Sequence, residues 1–147
     1  MVIVELGIVN NGVPIISKQY YKEHGMSVDP LLRGGFLSAL NSFATEVFAD
    51  EMESFSMKNF KIVLLSRLLR KTPPITIIAY CIGDKKLKPK TAQNALLKVL
   101  DLFVRRYDFL EDFNVDLALF EDFIPAFDAV LGDLAKKPDD RLRSIFG

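Results

Sequence analysis

Residues 2–9, VIVELGIV, run directly into Asn10-Asn11-Gly12 and then into Val13-Pro14-Ile15-Ile16-Ser17-Lys18. The first run is rich in β-branched residues, which suit a pleated, packed strand. Asn-Gly after such a run is the strongest short-range hairpin signal, because both residues tolerate positive φ. The spacing therefore predicts two antiparallel strands at the start of the chain. Pro14 has no amide to donate, so the second strand is expected at a sheet edge or to begin with an unpaired residue.

Working outward from the hairpin, residues 20–29 (YYKEHGMSVD) are polar and read as a loop. Asp29-Pro30 supplies an N-cap followed by proline at the first helical position, predicting a first helix from Pro30 to about Ala49. Leu32, Phe36, Leu40, Phe43 and Val47 repeat at helical spacing, and Leu31, Leu37, Ala44 and Phe48 widen the stripe to about half the circumference. Gly34 and Gly35 weaken the first turn by about 1 kcal/mol each relative to alanine. Residues 52–57 (MESFSM) alternate as a half-exposed strand does, and residues 60–69 (FKIVLLSRLL) read as a more buried one. Arg70-Lys71-Thr72-Pro73-Pro74 makes a turn into residues 75–82 (ITIIAYCI). Their almost wholly apolar composition predicts a central strand covered on both faces.

Pro89 opens a second helix with the stripe Ala92, Ala95, Leu96, Val99, Leu100, Phe103 and Tyr107. After a break at about residues 111–115, a third helix carries Leu117, Phe120, Phe123, Ile124, Phe127, Val130 and Leu134, with Pro125 expected to kink or split it. The order β-β-α-β-β-β-α-α predicts an α/β (α+β) domain. In it a mostly antiparallel five-stranded sheet lies between the first helix and the other two. Residues 1–134 form this domain and 135–147 a short charged tail.

The 147 residues suit one domain, since most hold roughly 100–200. Nineteen basic residues balance nineteen acidic ones. Phosphate neutralisation supplies most nucleic-acid affinity, so this balance argues against a nucleic-acid partner. Cys81 is the only cysteine, which rules out an internal disulfide and a cysteine-based metal cluster. The opening residues lack a signal-peptide pattern, and no run approaches the roughly 18 apolar residues that span a bilayer. A cytoplasmic protein is the expectation.

Candidate chemistry is sparse. His24 sits in a polar loop beside Glu23 and Gly25, without a positioned partner for general-base work. Cys81 lies in the most apolar strand and reads as a small buried hydrophobe. Asp108, Glu111, Asp112, Asp116, Glu121 and Asp122 interleave with Phe109, Phe113, Phe120 and Phe123, as the polar face of an amphipathic helix does. No calcium loop and no glycine-rich phosphate loop is present. No catalytic residue, cofactor site or metal site is predicted. The basic loop Lys85, Lys86, Lys88 and Lys90 could meet acidic lipid headgroups, each charge worth about 1 kcal/mol near such a surface; a solvated loop is the plainer reading. Peripheral membrane contact thus stays open.

What remains is surface. The apolar half of the first helix is wider than one sheet face requires, with Leu37 and Phe48 expected to be left over. Residues 52–57 beside it read as an edge strand with unpaired backbone groups. An apolar helix next to an open edge invites strand addition and helix packing by a partner.

The element order, the Asn-Asn-Gly hairpin with Val13–Lys18, and the segment Gly35-Phe36-Leu37-Ser38-Ala39-Leu40-Asn41-Ser42-Phe43-Ala44 resemble the longin domain, in particular archaeal longin-like chains. The resemblance covers about residues 1–134. The related roadblock domain begins with a helix, whereas this chain begins on a strand. The resemblance implies a non-catalytic interaction module in vesicle trafficking or small-GTPase regulation. Its expected partners are a second copy, a longin- or roadblock-type chain, or a small GTPase. It places the partner interface on Phe36, Leu37, Leu40, Asn41, Ala44 and Phe48 of the first helix, with Glu53 and Phe55 on the adjacent strand. No SNARE heptad repeat follows, so membrane fusion is not implied. The alternative is a small-molecule sensor of profilin- or PAS-like layout, for which the central strand offers only Thr76, Tyr80 and Cys81 as polar lining.

Overall fold

Strands β1 (Ile3–Asn10) and β2 (Val13–Gln19) pair antiparallel across the Asn11-Gly12 turn, where both residues take positive φ (50° and 79°). This is the two-residue geometry that the Asn-Gly signal demands. The computed structural model describes residues 3–20, 30–50, 53–71, 74–107 and 116–132. Helix α1 (Pro30–Phe48) follows, then β3 (Ser54–Ser56), β4 (Phe60–Lys71), β5 (Pro74–Asp84) and helix α2 (Pro89–Tyr107). A 3₁₀ segment (Leu117–Phe123) leads into helix α3 (Ile124–Leu131).

The five strands form one open antiparallel sheet in the order β2-β1-β5-β4-β3. The apolar run at 75–82 is therefore the central strand, and alternation along it feeds two cores. Ile77, Ala79 and Cys81 face α2 and α3, while Ile78, Tyr80 and Ile82 face α1. The strand containing Pro14 lies at one edge and β3 at the other; of the run read as a strand at 52–57, Ser54–Ser56 is strand and Met52 lies outside the described residues.

The larger core lies under α2 and α3. All seven residues of the α2 stripe are buried. Phe103 packs edge-on against Phe123 at 5.4 Å between centroids and tilted against Tyr107 at 4.8 Å, and Phe123 continues to Phe127. The third helix is split rather than kinked. Pro125 sits in the first turn of α3, where its missing N–H costs no hydrogen bond, and the preceding turn winds as 3₁₀. Leu117 is exposed at the start of that segment instead of joining the core. The expectations for His24 and its loop, for Asp108, Glu111, Asp112 and the break at 111–115, and for Leu134 and the tail at 135–147 concern residues outside those described. No helix among the described residues is long and apolar enough to cross a membrane.

Candidate interaction surface

Helix α1 is held to the sheet along a narrow stripe. Gly34, Leu37 and Ala44 are buried, with Arg33, Ser38, Leu40 and Asn41 half-buried beside them. Gly34 sets the closeness of approach: a Cβ there would stand 2.8 Å from the Gly12 carbonyl oxygen and 3.1 Å from Pro14. The pair of glycines that weakens the first turn thus includes one that lets the helix lie on the hairpin.

The sheet beneath is prepared for this contact by a buried polar cluster. Glu5 of β1 is the one buried charged residue among the described residues, 1% exposed. Arg33 of α1 reaches it with two donors, Nε to Oε2 at 2.8 Å and Nη2 to Oε1 at 2.5 Å. The Tyr80 hydroxyl of β5 donates to the same carboxylate at 2.7 Å. Tyr80 lies flat where Gly7 has no side chain; a Cβ at Gly7 would fall 2.6 Å from the ring. Burial, followed by the adjacent Glu5 charge, raises the Tyr80 phenol well above its ordinary value, so the hydroxyl stays protonated and donating. Three donors on one carboxylate satisfy a charge that would otherwise be costly to bury.

Outside that stripe one flank of the helix is apolar and exposed. Leu32, Phe36, Phe43 and Val47 are all exposed and fall within one flank at 100° per residue. Leu31 is exposed on the opposite flank, and Phe48 is 70% exposed at the helix end. Phe36 meets Phe55 of β3 edge-on at 6.2 Å, so the apolar flank continues onto the edge strand. Soluble monomers rarely leave so many neighbouring large apolar side chains in water without a binding use.

The eight residues assigned to a partner interface divide accordingly. Phe36 and Phe48 are exposed, Phe55, Leu40 and Asn41 are half-buried, and Glu53 is exposed beside β3. Leu37 is not left over: at 1% exposed it belongs to the core with Val9, Ile62, Leu64, Ile78, Tyr80 and Ile82. Ala44 is likewise buried within the chain. The stripe read as the core face, Leu32-Phe36-Leu40-Phe43-Val47, is for the most part the open face. The sequence reading missed Leu31, Leu32, Phe43 and Val47 as surface residues. Arg33 was the available signal, since it falls between Leu40 and Ala44 around the helix, and a cation on a side that faces the sheet needs a buried partner to stay there.

Among the described residues no strand pairs with the outer edge of β3, whose register is defined. Leu64 N–H donates to the Glu53 carbonyl and Met57 N–H to the Phe60 carbonyl, so residues 53, 55 and 57 point their backbone groups at β4. By alternation, Ser54 and Ser56 direct theirs away from the sheet.

Among the described residues the remaining candidates do not assemble a chemical site. Thr76 is exposed, Tyr80 is committed to Glu5, and Cys81 is buried on the opposite face of the sheet. Burial pushes the Cys81 thiol up to about 12, which leaves almost no thiolate near neutral pH. Asp116 caps the 3₁₀ segment by accepting from Ala118 N–H, while Glu121 and Asp122 are exposed. Among the described residues no three His, Cys, Asp or Glu side chains are grouped to hold a metal ion. No protein-family model and no curated protein matches the chain.

Proposed function

We propose that this chain is a longin-like protein–protein interaction module that docks through the exposed flank of α1 and the edge of β3, and that its first partner is a second copy. The observation that carries the reading is the continuous apolar surface from Leu32 through Phe36, Phe43 and Val47 onto Phe55, bordered by a strand edge that no other described strand pairs. The observed element order is also the one on which the longin resemblance rests.

A two-fold partner fits the register. Two β3 strands set antiparallel about Phe55 place Ser54 opposite Ser56 twice, where both residues have outward N–H and C=O groups. Phe55 then meets Phe55 on the side of Phe36, as an isologous interface requires. The four flank residues of α1 are themselves uncharged, with the acids Glu46 and Glu53 at the border of the surface. Five half-exposed side chains per copy yield on the order of 10 kcal/mol of apolar burial. Association itself costs about 4–15 kcal/mol, so a weak, concentration-dependent dimer is expected.

Light scattering across a concentration series tests this directly. The wild-type chain should shift from monomer to dimer, and Phe36→Asp or Phe43→Asp should hold it monomeric with an unchanged melting temperature. A wild-type chain that stays monomeric throughout removes the second copy as partner. A dimer indifferent to both substitutions moves the interface elsewhere. A small GTPase or a roadblock-type chain competing for the same flank should protect Phe43 from surface labelling.

A further inference from the structure

The strand register brings two lysine-bearing turns together at one end of the sheet. Phe60 pairs with Asp84 and Lys61 with Gly83, so the turn at residues 57–59 lies beside the turn that follows β5. Both turns are closed by local hydrogen bonds, Met57 N–H to the Phe60 carbonyl at 2.8 Å and Leu87 N–H to the Asp84 carbonyl at 3.0 Å. Lys86 N–H also donates to Asp84 Oδ1 at 3.1 Å. Lys58, Lys85, Lys86, Lys88 and Lys90 are exposed on these turns and on the first turn of α2, and Lys61 is half-buried between them. Within residues 57–61 and 84–90 the only acid is Asp84, in a chain whose total charge is zero. The basic loop seen in sequence is therefore half of a larger patch, completed from a segment over twenty residues away.

We infer that this end of the sheet docks on an anionic lipid surface through Lys58, Lys85, Lys86 and Lys90. The composition selects that partner among polyanions. Every cation here is a lysine, a point charge suited to a diffuse field of headgroups rather than to the planar, bidentate recognition for which arginine is preferred. A single-stranded nucleic acid would call for exposed aromatic rings to stack its bases. The one aromatic residue in the patch, Phe60, is packed against the α1-side core. Met57 stands 41% exposed in the same turn, an apolar tip among the lysines that can enter the headgroup layer. The four lysines lie outside the α1 flank in sequence and in the fold, so lipid docking and partner docking are separable by substitution.

The experiment is co-sedimentation of the full chain with phosphatidylcholine vesicles, with and without phosphatidylserine. Binding is expected only with phosphatidylserine present and should be lost in high salt. The double variant Lys58→Ser/Lys86→Ser should bind about thirtyfold more weakly, two lysines at about 1 kcal/mol each, with an unchanged melting temperature. Phe43→Ser, which leaves the lysines intact, should bind like the wild-type chain. Equal binding to both vesicle types, or binding lost with Phe43→Ser instead, would mean that the α1 flank adsorbs to lipid and overturns the inference. So would capture by heparin or single-stranded DNA without vesicle binding, or no vesicle binding even at low salt.

Discussion

Each face of the sheet is fastened to its helical layer by the same three chemical groups, a carboxylate, a cation and a phenol, in opposite settings. Under α1, Glu5 takes Arg33 and Tyr80 in the interior. Under α3, Asp128 takes Lys18 Nζ at 2.9 Å on both oxygens and the Tyr20 hydroxyl at 2.8 Å, with the Asp128 side chain 45% exposed. The second clasp closes the rim of a core already filled by Phe103, Phe120, Phe123 and Phe127. The first sits where the apolar core is thin, over Gly7 and beside a helix that buries little more than Leu37 and Ala44. A helix whose contact with its sheet is this narrow keeps most of its apolar surface for something else. On this comparison the polar clasp is structural on the α1 side and peripheral on the α3 side.

The largest expected effect breaks the buried clasp. Arg33→Met leaves the Glu5 carboxylate without its cation in the interior and is expected to cost about 3–5 kcal/mol in urea unfolding. Replacing the whole cluster, Glu5→Leu/Arg33→Met/Tyr80→Phe, should recover most of that loss, because no buried polar group is then left unpaired. Lys18→Met on the other face should cost under about 1 kcal/mol. If Arg33→Met costs no more than Lys18→Met, the two clasps are equivalent and the comparison fails.

The next effect separates the two sides of α1. Leu37→Ala opens a cavity in the smaller core and is expected to cost about 2–5 kcal/mol. Phe43→Ala, on the exposed flank, should stay within about 0.5 kcal/mol when measured at a concentration where the chain is monomeric. A large loss at Phe43 would show that the flank is already covered within the chain.

Local signals made much of the fold legible. The Asn-Asn-Gly turn, the apolar run at 75–82 and the α2 stripe each specify their element through residues adjacent in sequence or on one helical face. The proline at 14 marked an edge strand because it removes a donor wherever it sits. The orientation of α1 was not legible in the same way. Its apolar residues occupy more than half the helix, so periodicity alone allows either the Leu32-Phe36-Phe43-Val47 side or the Leu37-Ala44 side to face the sheet. Non-local fits decide between them: Gly34 against the Gly12 carbonyl, and Arg33 against a carboxylate twenty-eight residues earlier. The lysine patch was half visible for the same reason, since Lys58 and Lys61 join it only through the register of β4 with β5.

The smallest expected effect sharpens the comparison from the exposed side. Burial disfavours the Asp128 charge, but the hydrogen bonds from Lys18 and Tyr20 outweigh it and hold the carboxyl below its ordinary value of 3.8. A carboxyl with a lowered native pKa stabilises the fold fully above its unfolded value, and the contribution fades as pH falls through the native one. Lys18 and Tyr20 are the groups bonded to it, and burial, followed by the bond to Asp128, raises the Tyr20 phenol away from this range. The exposure of Asp128 admits water and salt, so the whole contribution should stay under about 1 kcal/mol. Thermal unfolding of the wild-type chain and Asp128→Asn, followed from about pH 7 to about pH 2, should show a small gap that closes as the carboxyl protonates. A gap that persists at low pH means that the asparagine has lost packing rather than charge. A gap of several kcal/mol at neutral pH places Asp128 in the same class as Glu5, and the division of labour between the two faces no longer holds.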